Sequence, residues 1–450
     1  MSCKFSSVRI NSKMGDIETI ALGQGGGPTS VHNMQVAGGL FEAQQYRIKH
    51  PNLRIIAPLN GLEGFLHVRR PGHVIDITDW DWEVVGKRPG AALYTTRLEL
   101  QEKEKYTPEE NLKIREARDT IRENIEGLHA TKLGYIGGED SAAILMALGF
   151  GIHGAKTVDN NICEAHHASG WGSSTLFNVL TVKHLSLDFG SYRVRSIGHD
   201  GLEAYLTATL IIYQTQGRET GWLAEGAGLA KIDPDGQINP KLPPDIIWPP
   251  EIPFDADLYL SALSDILQRK GKAFVVIGEQ LSQYVDDKLV PLAEIYGKDS
   301  LDARGHAEHA RAGAFNYADH LARLSKTLKI DSVKKIKEAP ITPQQIPRSY
   351  LQSQKDAEEA FEVGREVVRA LLEGDNQKSV VLQKVNGAIK PVRVPLEQVA
   401  GLNRTVPPEF IDGIKGPTQR FADEFLYLIG GPGAIPHYPK LDYNKSITLS

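Results

Sequence analysis

Short apolar runs, glycine-rich turns and longer amphipathic stretches alternate along this chain. The apolar run Ile17 to Leu22 is typical of a buried strand, Gly23 to Ser30 is rich in glycine, and Val31 to Tyr46 is long enough for a helix. A strand, a glycine-rich turn and a helix in this order begin a doubly wound α/β unit. Leu53 to Pro58 predicts the second strand of the same unit.

The alternation of apolar and polar segments continues to the C-terminal part of the chain. Apolar runs predict strands over Leu133 to Ile136, Phe274 to Ile277 and Ser379 to Leu382, and charged or periodic stretches predict helices over 101–130, Ser141 to Leu148, Asp302 to Lys326 and Lys355 to Glu373. The apolar run Leu202 to Gln214 fits a helix or a strand. Glu338 to Pro347 contains three prolines and is expected to be a linker or surface loop.

Length, charge and amino-acid composition argue against several classes of protein. A chain of 450 residues is long enough for two or three domains, and its net charge of −5 argues against a general nucleic-acid binder. The chain has two cysteines, Cys3 and Cys163, which suggests no disulfide framework and fits a reducing cytoplasm. No apolar stretch is long enough to predict a membrane span. We therefore expect a cytoplasmic protein with no nucleic-acid or membrane partner.

Two polar loops that follow apolar runs carry the candidate chemistry. The first is Gly137 to Ser141, with the carboxylates Glu139 and Asp140, and the second is Lys156 to Asn161, with Asp159. Loops at the carboxyl ends of strands are where open α/β sheets bind ligands. Paired glycines let the backbone approach phosphate oxygens, and carboxylates hold Mg²⁺ or accept a proton from a hydroxyl. The two loops together indicate phosphoryl transfer.

These loops belong to a series of segments that resembles the phosphofructokinase family, in particular its pyrophosphate-dependent branch. The segments occur in the family's order, between Ile17 and Gly431. They are Gly25 through Asn33, Gly90 through Arg97, Gly137 to Ser141, Lys156 to Asn161, Gly217 to Leu223, Pro250-Glu251 and Val275 to Glu279. The resemblance implies an α/β fold of two Rossmann-like three-layer domains that face a cleft, with a C-terminal extension, in a homodimer or homotetramer.

The resemblance also implies boundaries and roles. We expect an N-terminal domain with the phosphoryl-donor loops over residues 15–165, a second domain with the sugar-phosphate contacts over 166–330, and an extension that packs on both over 331–450. The catalytic residues would be Asp159, as proton acceptor, and Lys156. The donor phosphates would be bound by Gly25, Gly26, Gly27, Arg97 and Asp140, the sugar phosphate by Thr157, Gly217, Arg218, Glu251 and Arg311, and Mg²⁺ by Asp140 and Glu139.

Two residues bear on the phosphoryl donor. In this family a glycine at the position of Asp140 leaves room for a nucleotide, whereas an aspartate crowds it, and a lysine at the position of Lys156 accompanies the use of pyrophosphate. The resemblance therefore implies Mg²⁺-dependent, reversible transfer from pyrophosphate to fructose 6-phosphate, giving fructose 1,6-bisphosphate. An added carboxylate would repel a nucleotide's α-phosphate, and a lysine supplies a point charge for a compact diphosphate.

Several positions depart from the family pattern and keep alternatives open. Glu139 stands where a shorter acid or amide is usual, Asn161 replaces a second aspartate, and Gln214 to Gln216 replaces the usual segment before Gly217. One alternative is an ATP-dependent 6-phosphofructokinase of the same fold. The others are a divergent enzyme that uses another sugar phosphate, and a non-catalytic subunit that binds one.

Overall fold

The computed structural model describes residues 18–130, 132–197, 203–296, 316–343 and 345–438. The strands are β1 (Thr19–Gln24), β2 (Arg54–Pro58), β3 (Val74–Asp76), β4 (Lys132–Gly137), β5 (Ile152–Thr157), β6 (Ser169–Gly170), β7 (Val194–Ile197), β8 (Glu203–Gln214), β9 (Ile246–Trp248), β10 (Lys272–Ile277), β11 (Ser282–Val285), β12 (Lys288–Pro291), β13 (Ile336–Ile341), β14 (Lys378–Val385) and β15 (Ala388–Pro395). The α-helices are α1 (His32–Arg47), α2 (Glu63–Leu66), α3 (Trp82–Gly86), α4 (Pro108–Gly127), α5 (Glu139–Leu148), α6 (Trp171–Asp188), α7 (Trp222–Ala227), α8 (Ala256–Lys270), α9 (Leu292–Tyr296), α10 (Tyr317–Ser325), α11 (Gln354–Glu373) and α12 (Gln419–Phe425).

The first sheet has the strand order β15-β14-β5-β4-β1-β2-β3. Strands β14, β5, β4, β1 and β2 run parallel, and β15 and β3 are antiparallel to their neighbours. Side chains of β1 alternate between two cores: Ile20 and Leu22 pack with α1 and α11, whereas Ala21 packs with α4 and α5. The sheet is therefore the middle layer of three.

The second sheet has the strand order β13-β8-β10-β9, with β7 paired antiparallel to β8. Strands β13, β8, β10 and β9 are parallel. Along β8, Leu210 and Ile212 pack with α8 and α10, whereas Ile211 and Tyr213 pack with α6, α7 and α12. The predicted α/β fold with two three-layer units is confirmed.

Two segments illustrate where local pattern is ambiguous. The apolar run Leu202 to Gln214 fitted a strand or a helix, and its described part, Glu203–Gln214, forms β8, which is apolar on both faces because helices cover both sides of the sheet. The prediction that Glu338 to Pro347 is a loop is wrong over its first part, because β13 pairs with β8 there. Pro340 is compatible with a strand since β13 lies at the edge of the sheet, where one row of N–H groups needs no partner.

The C-terminal third of the chain contributes to both sheets. Strand β13 belongs to the second sheet, and β14 and β15 extend the first. The division at residues 165 and 330 stays a prediction. The helix predicted over Asp302 to Lys326 is present as α10 in its last part, and residues 302–315 lie outside the described residues.

Helices α1 and α11 touch through their backbones, which ties the C-terminal third to the first sheet. A Cβ added at Gly364 would lie 1.8 Å from the carbonyl oxygen of Gln35, and one added at Gly38 would lie 1.9 Å from that of Phe361. No methyl group fits at such distances. Glycine is therefore required at these two helical positions despite its low helix propensity.

We expect Gly364→Ala to lower the free energy of unfolding by about 2 kcal/mol, because the helices must separate to admit the methyl group. Gly127→Ala is the matched control, since Gly127 also lies in a helix but has open space around its Cβ position. The control should change stability little. Denaturant unfolding of the three proteins measures both effects, and equal stability of Gly364→Ala and the parent would contradict the close contact.

Candidate active site

The candidate site is built by loops that follow three neighbouring parallel strands. Strand β1 leads into Gly25 to Pro28, β4 into Gly138 to Asp140, and β5 into Val158 to Asn161. Because the strands are parallel, their carboxyl ends meet at one edge of the sheet. An open cavity lies there, and its lining residues are Gly26, Gly27, Pro28, Arg97, Gly138, Glu139, Asp140, Ser141, Lys156, Thr157, Val158, Asp159, Arg218 and Arg348.

The glycine-rich loop after β1 admits no larger side chain. A Cβ added at Gly25 would lie 2.4 Å from the Tyr135 hydroxyl oxygen, and Gly26 adopts φ +71°. This φ lies in the left-handed region that glycine occupies without strain. The loop therefore presents its backbone, without side chains, to the cavity at Gly26 and Gly27.

Lys156, at the end of β5, points its ammonium group toward the glycine-rich loop. Its Nζ donates a hydrogen bond to the carbonyl oxygen of Gly27 at 2.7 Å, and the residue is 3% exposed. Burial, followed by the nearby charge of Arg348, lowers the pKa of Lys156 to about 7. An anion in the cavity would favour the charged form of this lysine.

Asp159 presents a buried carboxylate to the same cavity. Its backbone N–H donates to the Thr157 hydroxyl (3.1 Å), and its carbonyl accepts from the Thr220 hydroxyl (3.1 Å). Oδ2 lies 3.6 Å from Nε of Arg218. Within the described ranges of the chain, buried Oδ1 has no hydrogen-bond partner. A buried carboxylate oxygen without a donor is available to accept a proton from a ligand hydroxyl.

Arg218 connects the two sheets at the site, because it follows β8 of the second sheet and reaches the loop after β4 of the first. One guanidinium N–H donates to Glu139 Oε1 at 3.0 Å. Its backbone N–H and that of Gly217 donate to one carboxylate oxygen of Glu279, at 2.7 and 2.9 Å. Burial opposes the charged form, but Asp159 and Glu139 hold the pKa of Arg218 above its usual range.

The carboxylates differ in their fitness for a metal. Among the residues described, no three His, Cys, Asp or Glu side chains converge as a metal site. Mg²⁺ is usually held by one or two carboxylates together with substrate phosphates and water. Asp140 and Glu139 both line the cavity, where either carboxylate could contribute to such a site, but Glu139 also accepts a hydrogen bond from Arg218 and its burial raises its pKa.

Glu251, predicted to contact the sugar phosphate, is not part of this cavity lining. Its Oε1 accepts hydrogen bonds from the backbone N–H groups of Gly221 (3.0 Å) and Val406 (2.8 Å). Its Oε2 is buried and has no partner among the described residues, and burial raises the pKa of the carboxyl group. Arg311 lies outside the described residues.

Sequence reasoning missed two residues at the site. Arg348 lines the cavity from a short 3₁₀ helix after β13, and its Nη1 would lie 2.9 Å from a Cβ added at Gly27. Burial lowers the pKa of Arg348 despite the opposite charge of Asp159. Glu279 positions the Arg218 backbone, as its place after strand β10 could have suggested. Little in the sequence indicated that Arg348 is functional, because it follows a proline-rich segment that predicts a linker or surface loop.

Comparisons with known proteins agree with the geometry. The family model described as Phosphofructokinase matches residues 19–325. The chain is 29% identical over 438 residues to the pyrophosphate–fructose 6-phosphate 1-phosphotransferase of Xanthomonas campestris pv. campestris, covering 92% of each chain. It is 26% identical over 414 residues to the protein of that name from Rhodospirillum rubrum, covering 87% of this chain and 89% of the relative. A solved structure of a pyrophosphate-dependent phosphofructokinase from Nitrosospira multiformis superposes with a TM-score of 0.71, 22% identity and 95% coverage of each chain, which shows the shared fold.

Proposed function

Because the chain belongs to the phosphofructokinase family, we propose that it transfers a phosphoryl group from pyrophosphate to fructose 6-phosphate, giving fructose 1,6-bisphosphate and phosphate. One observation carries this proposal. The buried ammonium of Lys156 and the buried carboxylate of Asp159 line one cavity together with three arginines and the bare backbone of Gly26 and Gly27. Cations and main-chain groups suit phosphates, and the carboxylate suits a hydroxyl acceptor.

On the donor side, the residues fit a compact diphosphate. Lys156, Arg97 and Arg348 would bind its oxygens, and the Gly26–Gly27 backbone would lie against it. Asp140 supports pyrophosphate over a nucleotide, because a carboxylate repels an α-phosphate. Mg²⁺ held by Asp140 and the phosphates would neutralise part of the phosphate charge.

On the acceptor side, Asp159 would act as general base. Oδ1 accepts the proton of the sugar 1-hydroxyl, the hydroxyl oxygen bonds to phosphorus, and the bond from phosphorus to the bridging oxygen breaks. The phosphate that leaves carries the electron pair of the broken bond. Arg218 Nε lies 3.6 Å from Asp159 Oδ2, and the charge of this guanidinium would stabilise the transferred group.

Several further properties belong to the same proposal. We expect Thr157, Gly217, Arg218, Glu251 and Arg311 to contact the sugar phosphate, and Gly25 to shape the donor loop. We expect a homodimer or homotetramer in a reducing cytoplasm, dependent on Mg²⁺ and without a nucleic-acid partner. No helix in the described part of the chain has the length and apolar character needed to cross a membrane.

The test is an assay of the purified protein with fructose 6-phosphate and Mg²⁺, coupled to detection of fructose 1,6-bisphosphate, with pyrophosphate or ATP as donor. We expect turnover with pyrophosphate and at least about 100-fold less with ATP, which corresponds to about 2.7 kcal/mol of discrimination between donors. Turnover with ATP alone would contradict the role of Asp140. No turnover with either donor would favour another sugar phosphate or a non-catalytic subunit.

A further inference from the structure

A segment near the C-terminus contacts two loops of the site and Glu251. Residues 401–406 are far from the site in sequence, yet the N–H of the first residue donates to the carbonyl oxygen of Glu139 at 3.2 Å. The side chain of Asn403 accepts from Asn161 at 2.6 Å. The N–H of the last residue donates to Oε1 of Glu251 at 2.8 Å. This segment thus connects the loop after β4, the loop after β5 and Glu251.

Arg404 makes the largest set of contacts in this segment. Its guanidinium donates to the main-chain carbonyls of Asn160 (2.9 Å), His166 (2.9 Å) and Ala165. Its Cζ lies 4.5 Å from the centre of the Trp222 ring, which suits a cation–π contact. A planar guanidinium presents several donors in fixed directions, so one side chain fixes three peptide units at once.

The peptide units that Arg404 holds follow directly after Asp159. Asn160 adopts φ +54°, a left-handed conformation that asparagine tolerates better than most residues with a side chain, and it forms a tight turn directly after Asp159. Arg404 bonds the carbonyl of that residue, and Thr220 bonds the carbonyl of Asp159. The two contacts fix the backbone on both sides of the turn that aims the carboxylate into the cavity.

We propose that Arg404 is a positioning residue for phosphoryl transfer: it holds the Asn160 turn so that Asp159 Oδ1 faces the acceptor hydroxyl. The inference rests on the proposed function of the site. Arg404 is not part of the cavity lining, so it acts through Asp159 and not on the substrate. Its loss should therefore lower kcat and leave the binding of pyrophosphate unchanged.

The test combines Arg404→Met and Arg404→Lys with Asp159→Asn in a double-mutant cycle. Arg404→Met keeps the apolar stem without the donors and should lower kcat about 100-fold, as expected for a misplaced catalytic group, with the KM for pyrophosphate within about 2-fold of the parent. Arg404→Lys keeps the charge and one donor group, so it should lower kcat about 10-fold, to a value between those of the parent and Arg404→Met. In the Asp159→Asn background, Arg404→Met should lower kcat by less than about 2-fold, because the group that Arg404 positions is already absent.

Arg420→Met is the control, since Arg420 is an exposed arginine near an aromatic ring, and it should keep full activity. Unchanged kcat in Arg404→Met would overturn the proposal, and so would a 100-fold loss that persists in the Asp159→Asn background. If Arg404→Met fails to melt cooperatively, Arg404→Lys replaces it, and either an unchanged kcat or a loss of about 10-fold that persists in the Asp159→Asn background would overturn the proposal. An inactive parent protein would instead overturn the proposed function, and the positioning role with it, so the two failures are distinguishable.

Discussion

Asp159→Asn is expected to lower kcat for transfer from pyrophosphate to fructose 6-phosphate by about 1,000-fold, within the range that general base catalysis contributes. An amide has nearly the shape of the carboxylate but cannot accept the proton of the 1-hydroxyl. In the parent, buried Oδ1 has no donor among the described residues, so the substitution removes the charge without removing a hydrogen bond from those residues to that atom. Steady-state kinetics with both substrates varied would measure the loss in kcat against KM.

Asp188→Asn is the matched control, because Asp188 is an exposed aspartate at the end of α6, and it should retain full activity. Thermal melting of both variants tests whether the fold is kept. Asp159→Asn with more than about one tenth of the parent kcat would exclude Asp159 as the general base. Asp140 would then become the carboxylate to examine in this role, since it lines the same cavity.

The first sheet could be predicted to a large extent because its strands are local features. Strands β1, β2 and β4 are apolar runs bounded by glycine or proline, and each forms within a few residues of its predicted position. The placement of β14 beside β5 could not be predicted, because it depends on contacts between residues that are distant in sequence. The edge strand β13 was predicted as a loop, since a proline in an edge strand has the same local signature as a proline in a turn.

The candidate site shows the same limit. Gly26, Gly27, Asp140, Lys156 and Asp159 lie in compact motifs at or just after the ends of strands, so the sequence indicated them, and the fold brings them to one cavity. Arg348 enters that cavity from a segment without a local motif. The pairing of Arg218 with Glu139 depends on how the two sheets face each other, which no local spacing encodes.

Lys156→Met is expected to lower kcat with pyrophosphate by about 100-fold or more, the cost of removing one charged donor from a transition state that carries extra negative charge. Methionine keeps the length of the side chain without its ammonium.

The parent should also show a pH dependence that Lys156→Met lacks. The lowered pKa of about 7 means that Lys156 in the free enzyme is charged below pH 7 and loses its proton as the pH rises above it. The parent's kcat/KM for pyrophosphate should therefore fall above about pH 7 through this group.

Lys87→Met, at an exposed lysine, is the control and should keep both the activity and the descending limb of the pH profile. Profiles of kcat/KM for pyrophosphate between about pH 6 and pH 9 compare the three proteins, with ionic strength held constant because charge interactions are screened by salt. A descending limb of unchanged midpoint in Lys156→Met would assign the titration to another group.

The pH dependence matters for mechanism because burial beside Arg348 disfavours the charged ammonium in the free enzyme, and an arriving diphosphate offsets that penalty. The lysine would then respond to the donor itself, with its charge favoured when the phosphates are in place.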